Sequence, residues 1–321
     1  MSDREDLDAH YGAVVRDLDE GRVVPLLGAG VNLSDREPDG AWSRGQNLPS
    51  GGELANYLAE RFYYPRGVGE VELLRVSQYV AVNDGTGPLY DELRKLFHAD
   101  YEPTPVHDFF ASLPKRLAAR RKREKDADDT ADFPLIVTTN YDDLLERAFE
   151  RPPVEPFDVV WYIAEGESRG KFWHRPYGAE PRQIDRPEDY DEIDLGQQTV
   201  ILKIHGAVDR LARERDSYVI TEDHYIDYLT KTELKHLVPV ELVAKLMTSR
   251  FLFLGYSMQD WNLRVILHRI WGRSPLTYPS WAIQLNPSKI DQKLWEKRDV
   301  EVLDVPLSTY IDELAQRLDS P

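Results

Sequence analysis

Four short apolar runs, each ending in a glycine or in polar side chains, constrain the fold of this chain most strongly. They are Val23–Leu27, 134–138, 199–204 and Arg250–Leu254. Runs of this length, bounded by turn residues, are typical of strands buried on both faces. Stretches with helical periodicity lie between them, and this alternation predicts a parallel, doubly wound α/β sheet. The segments that follow parallel strands meet at one edge of such a sheet, where ligands bind.

The rest of the chain fits this pattern, with one exception. Periodicity predicts helices at 7–18, 53–62 (with Ser50 as a cap candidate), 73–82, 89–97, 106–120, 142–150, 238–247, 260–271 and 310–318, a strand followed by a threonine-capped helix within 216–228, and strands at 281–283 and 300–303. The stretch 151–198 is instead rich in proline and charge. We predict that 1–321 is a single domain and that 151–198 is an insertion or small subdomain within it.

Composition excludes several classes of protein. The chain has 321 residues, a net charge of −17 and no cysteine, which rules out disulfides and cysteine-based zinc sites. No apolar run is long enough for a membrane helix, and the charged N-terminus lacks the apolar core of a signal peptide, so we expect a cytoplasmic location. Acidic surfaces repel phosphate backbones. We therefore expect no nucleic-acid binding, despite the basic stretch 115–125.

The glycine segment after the first run is a candidate phosphate loop. Gly28, Ala29 and Gly30 are small enough for backbone N–H groups to approach a pyrophosphate, and Asn32 adds a polar side chain. The segment is too short for a dinucleotide fingerprint. A simple tight turn remains the alternative.

The segment after the second run carries the strongest signal. A strand there delivers Asn140 and Asp142 to its carboxyl end, together with Thr139. Asn and Asp also cap helices well, so a structural role for Asp142 stays open. His205 follows the third run; a neutral imidazole there can accept a proton near neutral pH, whereas a lone histidine is more often structural.

Taken in order, these segments resemble the NAD-binding and catalytic loops of the sirtuin-like superfamily. The resemblance covers about 23–318 and rests on Gly28-Ala29-Gly30, Thr138-Thr139-Asn140-Tyr141-Asp142, Lys203-Ile204-His205-Gly206 and Gly255-Tyr256-Ser257. It implies a Rossmann-like fold that binds NAD, with 151–198 in place of the sirtuins' variable module. The chain departs from sirtuins in having Asn32 where they have serine, and in lacking the cysteines of their zinc ribbon.

The resemblance also implies roles for individual residues. Asn140 would face the nicotinamide ribose and its water, Asp142 would contact the nicotinamide carboxamide, and His205 would be the general base. Gly255, Tyr256 and Ser257 would hold the adenosine half of NAD, and Asn286 its ribose. Gly28, Ala29, Gly30, Asn32 and Thr139 complete the candidate cofactor-binding set, and no metal is expected.

Two further segments, 219–225 and 253–264, resemble the bacterial sirtuin-like proteins of antiphage defence, which deplete NAD. This resemblance implies an NAD glycohydrolase that releases nicotinamide and ADP-ribose. The alternatives are a zinc-free protein deacylase or ADP-ribosyltransferase, and a non-catalytic sensor of NAD or ADP-ribose. The family further implies a homo-oligomer, or control by a HerA-type ATPase or an Argonaute-like partner.

Overall fold

The computed structural model describes residues 2–36, 40, 42–65, 67, 71–124, 133–230, 237–256 and 278–320. Its strands are β1 Val23–Leu27, β2 Leu135–Thr138, β3 Phe157–Tyr162, β4 Phe172–Arg175, β5 Arg182–Ile184, β6 Thr199–Lys203, β7 Arg250–Leu254, β8 Ser280–Gln284 and β9 Val300–Asp304. Its α-helices are α1 Ser2–Asp19, α2 Gly51–Arg61, α3 Leu73–Asn83, α4 Thr86–Phe97, α5 Pro105–Glu124, α6 Leu144–Phe149, α7 Glu222–Thr230, α8 Val240–Thr248, α9 Lys289–Glu296 and α10 Leu307–Asp319. The helix predicted at 260–271 lies outside the described residues.

The strands form one sheet in the order β5-β4-β3-β6-β2-β1-β7-β8-β9. All neighbouring strands from β3 across to β9 pair in parallel, and the β4 and β5 pairings are antiparallel. Strands β2, β6 and β3 lie on one side of β1, and β7, β8 and β9 lie on the other. The carboxyl end of β1 is therefore the topological switch point, where α/β sheets bind ligands. The predicted α/β class is confirmed.

Both faces of the sheet are buried, as the near-continuous apolar runs require. Successive residues of β2 alternate between two core clusters: Leu135 and Val137 belong to one, and Ile136 to the other. Helices α7, α8 and α9 contribute to the first cluster, while α1, α5, α6 and α10 contribute to the second. A third cluster joins α2, α3 and α4 to the segments that carry Leu144 and Tyr218. These three helices form a separate layer beside the switch point.

The stretch 151–198 contributes three strands to the main sheet. Strand β3 pairs in parallel with β6, and β4 and β5 extend the sheet beyond it in antiparallel fashion. Within the described residues this stretch thus widens the sheet rather than building a second one. Proline and charge between its short strands concealed them from pattern analysis.

The strand predicted within 216–223 is wrong. This segment is extended but irregular, because it bonds to a loop rather than to a strand: Ser217 N donates to Ala207 O at 2.9 Å and Val219 N donates to His205 O at 2.9 Å. The threonine cap is confirmed, since Thr221 Oγ1 accepts a hydrogen bond from His224 N at 3.1 Å in the first turn of α7.

Most of the basic stretch 115–125 lies on α5, against the chain's terminal helices. Arg123 Nη2 donates to Leu318 O at 2.7 Å, and Arg116 pairs with Asp319. Arg121 Nε lies 3.2 Å from Asp19 Oδ1. These arginines therefore satisfy the carboxyl ends of α10 and α1. Separately, no helix among the described residues is both long and apolar enough to cross a membrane.

The loops after β1 and β7 pack backbone against backbone. Gly28 N donates to Leu254 O, and Gly30 N donates to Gly255 O, both at 2.9 Å. Gly255 has a φ of +71°, and a Cβ added there would lie 2.5 Å from Val31 N. An alanine at 255 would therefore be strained in conformation and would push the two loops apart.

Substituting Gly255→Ala should lower the free energy of unfolding by about 1–3 kcal/mol or more, because of this strain and clash. The matched control is Gly12→Ala in α1, where an added Cβ meets no atom within 4 Å. That change should leave stability unchanged or raise it by about 0.5–1 kcal/mol. Urea unfolding of both variants measures the difference, and equal stabilities would contradict the packing described.

Candidate active site

A cavity of about 840 Å³ lies where the loops after β1, β2, β6 and β7 converge. Its volume falls in the range of about 300–1,000 Å³ that is usual for small-molecule sites. The start of α2 and parts of α3, α4 and α7 complete the wall. The lining residues are Ala29, Gly30, Asn32, Leu33, Pro49, Ser50, Gly51, Gly52, Leu54, Glu72, Leu73, Phe97, Thr139, Asn140, Tyr141, Asp142, His205, Tyr225, Gly255 and Tyr256.

Asn140 is held in place by the ends of β1 and β2. Its backbone N–H donates to Thr138 Oγ1 at 3.0 Å, and that hydroxyl donates to Leu27 O at 2.9 Å. Its side-chain Nδ2 lies 3.3 Å from Gly28 O and 3.5 Å from Asn32 Oδ1. The amide of Asn140 is therefore oriented by backbone of β1 while it still lines the cavity.

Asp142 is buried beside Asn32, with 4% of its surface exposed. Asn32 Nδ2 donates to Asp142 Oδ2 at 2.8 Å, and Leu144 N donates to Asp142 Oδ1 at 3.2 Å. The second bond lies at the start of α6, whose N-cap residue is Asp143. Asp142 therefore supports the helix start and also lines the cavity. Burial raises the pKa of Asp142, against the opposing effects of the Lys203 charge and these hydrogen bonds.

His205 is buried at the floor of the cavity, with 3% of its surface exposed. Its ring makes edge contacts with Tyr225 and Tyr228, with centroids 5.5 and 5.6 Å away. Burial lowers its pKa to about 3, so the imidazole is neutral at pH 7. The Nε2 atom has no hydrogen-bond partner within the part of the chain that the structure describes. An unpaired buried polar atom of this kind is rare in folded proteins.

Tyr256 links the β1, β2 and β7 ends from the opposite wall. Its hydroxyl donates to Leu27 O at 3.1 Å and lies 2.9 Å from Thr139 Oγ1. Since the phenol has a single proton, Thr139 is the donor in the second contact. This arrangement fixes the Thr139 and Tyr256 side chains side by side on the cavity surface.

The structure brings most of the predicted site residues together. Nine of them line the cavity: Ala29, Gly30, Asn32, Thr139, Asn140, Asp142, His205, Gly255 and Tyr256. Gly28 lies directly behind the wall. The N–H groups of Gly28 and Gly30 bond to Leu254 O and Gly255 O. Their role in binding NAD stays a prediction. The small size of these glycines is explained by loop packing.

Two predicted residues stand apart from this group. Asn286 does not line the cavity; it is exposed at the carboxyl end of β8, with a φ of +50°, and its N–H donates to Asp304 Oδ1 at 2.8 Å. Its proposed contact with the adenosine ribose stays a prediction. Ser257 lies outside the described residues.

The start of α2 is part of the site that motif analysis did not assign. Ser50 Oγ accepts from Glu53 N at 3.3 Å, and the Glu53 carboxylate accepts from Ser50 N at 2.8 Å, which confirms the cap candidate as a full capping box. Gly51 and Gly52 line the cavity beside it. The positive end of this helix dipole faces the cavity and favours anionic ligands. The sequence around Ser50 indicated the start of a helix, but no local pattern indicated that this start lies at the cavity.

The described residues contain no group of three or more His, Asp or Glu side chains that could hold a metal ion. The chemistry available in the cavity is that of a neutral imidazole, a buried carboxyl group and oriented amides. Such a set can position a polar substrate and accept a proton from it.

Acid should destabilise the fold through three buried histidines. Burial lowers the pKa of His10 to about 4 and that of His205 to about 3. Burial, together with the charges of Lys203 and Arg151, lowers the pKa of His107 to about 3. Below the unfolded pKa of about 6.5, the unfolded chain binds more protons than the folded chain, so stability is lost as the pH falls towards 3–4.

Between pH 7 and pH 5, each of these histidines should cost about 2 kcal/mol of unfolding free energy. Urea unfolding at the two pH values measures the loss. The loss should be smaller by that amount in His205→Leu than in the wild type. An identical loss in both would show that His205 is not held neutral.

Comparison with known proteins identifies the family. A sequence model of the SIR2-like domain matches residues 134–303, which is more than half of the chain. The protein named NAD(+) hydrolase ThsA from Acinetobacter baumannii (strain 532279) is 28% identical over 204 residues, covering 63% of this chain and 32% of that protein. Its namesake from Enterococcus faecium is 25% identical over 262 residues, covering 79% of this chain and 41% of that protein.

A third relative of the same name, from Cytobacillus dafuensis, is 23% identical over 201 residues, covering 63% of this chain and 31% of that protein. The chain thus spans about a third to two fifths of the length of the curated relatives that it matches. The match to the SIR2-like domain includes β2, β6 and β7 and the loops that carry Asn140, Asp142 and His205. This chain belongs to the SIR2-like domain family.

Proposed function

We propose that this chain hydrolyses NAD to nicotinamide and ADP-ribose. One observation carries the proposal: a single cavity at the switch point of the sheet gathers Asn140, Asp142 and the neutral, buried His205. The names of the three matched relatives support NAD as the substrate. The cavity is also large enough for the nicotinamide and ribose portion of a dinucleotide.

The reaction breaks the bond between nicotinamide and ribose, and positive charge develops on the ribose ring as in glycoside cleavage. An enzyme accelerates this step by binding that charged state better than the substrate. Asp142 and the oriented carbonyl of Asn140 supply negative and dipolar groups at the cavity wall. Asn140 orients the ribose or the attacking water in this proposal.

His205 then accepts the proton of the attacking water. Its pKa of about 3 makes it a weak base, but the imidazole is always in its proton-accepting form at pH 7. Water that attacks an oxocarbenium-like carbon becomes strongly acidic as the new bond forms, so a weak base suffices. The neutral ring of His205, which lines the cavity, is the accepting group in this scheme.

Water, rather than an acyl-lysine, is the proposed nucleophile. The chain contains no cysteine and therefore cannot build the four-cysteine zinc ribbon of sirtuin deacylases. Loss of that module alters the groove in which deacylases seat a peptide. Hydrolysis requires only the cavity itself.

We further propose that NAD depletion serves antiphage defence in the cytoplasm, where the NAD pool lies. The resemblance of 219–225 and 253–264 to sirtuin-like defence proteins supports this role. An NAD hydrolase must be silent until infection. We propose that homo-oligomerisation, or a partner of the HerA or Argonaute-like kind, supplies that control.

The wild-type chain should convert NAD to nicotinamide and ADP-ribose in the absence of any acceptor. His205→Ala and Asn140→Ala should each lower the rate by about 100-fold or more, the usual cost of losing a positioned acid–base group. Chromatography of nicotinamide and ADP-ribose measures the rate.

Asn83→Ala is the matched control for the asparagine, because Asn83 is exposed at the end of α3 and its side chain donates to Tyr79 O within the same helix. It should cleave like the wild type. Acceptor-dependent consumption of NAD would indicate a transferase. NAD binding without cleavage, even in lysate of phage-infected cells, would indicate a sensor. Either result would contradict the hydrolase.

A further inference from the structure

Lys203 is a fully buried cation between the two segments that carry the candidate catalytic residues. It is the last residue of β6, two positions before His205, and only 1% of its side chain is exposed. Lysine is almost never buried to this extent unless it is paired. Neither the motif analysis nor the proposed reaction gives it a role.

The ammonium group makes contacts on two different elements. It donates to the backbone carbonyl of Asp142 in the loop after β2, and to Glu146 Oε1 on α6 at 2.8 Å. Glu146 is itself buried, with 4% of its surface exposed. One side chain of β6 therefore ties down both the β2 loop and the first turns of α6.

We propose that Lys203 is a positioning residue, which holds the 140–142 segment in register with His205 through the Asp142 carbonyl group. Its effect on NAD cleavage rests on the proposed function; its effect on the loop does not. The chain between Lys203 and His205 is only one residue long. A bond from Lys203 to Asp142 therefore fixes the spacing of the two catalytic segments within a few bonds.

If Lys203 only neutralised the charge of Glu146, its bond to the Asp142 carbonyl would not be needed. An ammonium has three donors, and here one of them is spent on a carbonyl of the site loop. The same charge also acts on the Asp142 side chain. Burial raises the pKa of that carboxyl group and Lys203 opposes the rise, so Lys203 favours the ionised acceptor that Asn32 Nδ2 binds.

The other groups around this charge do not replace it. Asp143, next in the chain, raises the pKa of Asp142 further, while Asn32 and the N–H of Leu144 supply neutral donors. His107 of α5 has a pKa of about 3, lowered mainly by burial and also by Lys203, and is therefore uncharged at pH 7. Lys203 lowers the pKa of Asp142 more than any other group named here.

The test uses a pair of changes that leaves no buried charge unpaired. Lys203→Met with Glu146→Met removes the cation and its partner together, because removing only one would leave the other uncompensated. Glu146→Gln is the matched control: it breaks the same ion pair, and so carries the cost of an unpaired charge, but it keeps Lys203 and its bond to Asp142. If the methionine pair does not fold, Lys203→Gln with Glu146→Gln replaces it, because glutamine is one atom too short to span both partners.

The first readout is amide hydrogen exchange over 139–144. It should be at least about tenfold faster in the double variant, with the central strands unchanged, and near wild type in Glu146→Gln. The second is steady-state NAD cleavage. Because a misplacement of about 1 Å can cost about 100-fold in rate, kcat should fall by about that factor while KM changes less than about threefold.

Wild-type exchange over 139–144 in the double variant would overturn the positioning role whatever the activity. If 139–144 exchanges faster in the double variant but kcat is unchanged, Lys203 positions the loop without being important for NAD cleavage. If the wild type cleaves no NAD, either alone or in lysate of phage-infected cells, the proposed function fails, but the exchange readout still decides whether Lys203 positions the loop.

Discussion

The backbone contact between the β1 and β7 loops is the constraint on which the site depends. Gly28, Gly30 and Gly255 let two strand ends approach with no side chain between them, and their N–H and C=O groups bond directly. Because β1 and β7 flank the switch point of the sheet, this contact closes one wall of the cavity. The reactive side chains come from the other walls, where the segments after β2 and β6 carry Asn140, Asp142 and His205.

Burial sets the electrostatics of those side chains. His205 is neutral because the surrounding protein disfavours its charged form, and the pKa of Asp142 rises for the same reason. The charge of Lys203 opposes this rise in the pKa of Asp142. The start of α2, with the positive end of its helix dipole, lines the same cavity. The cavity thus combines a base that is neutral at pH 7 with a carboxyl group whose pKa a neighbouring cation lowers. That combination suits a reaction in which positive charge develops on a sugar.

Local sequence patterns predicted the fold class and, together with the family resemblance, most of the named residues that line the cavity. Both depend on the segments at the strand ends. Buried parallel strands read as continuous apolar runs, and the residues after Thr138 and Lys203 necessarily reach the same edge. Patterns failed where long-range pairing decides the outcome. The strands within 151–198 and the extended segment around Val219 depend on partners distant in sequence.

Glycine roles and helix placement were also beyond local patterns. Gly28-Ala29-Gly30 has the composition of a phosphate loop, yet two of its N–H groups are spent on the β7 end. Ser50 was recognisable as a cap, but only the packing of α2, α3 and α4 places it at the cavity. The burial of Lys203 could not be read from a strand-terminal lysine, which usually faces solvent.

The most direct test of the central claim is a crystal structure of the Asn140→Ala chain with NAD bound. We expect the nicotinamide ribose inside the cavity, within hydrogen-bond distance of the His205 ring, with the carboxamide near Asp142. An NAD molecule bound elsewhere, or one whose nicotinamide lies away from His205, would contradict it.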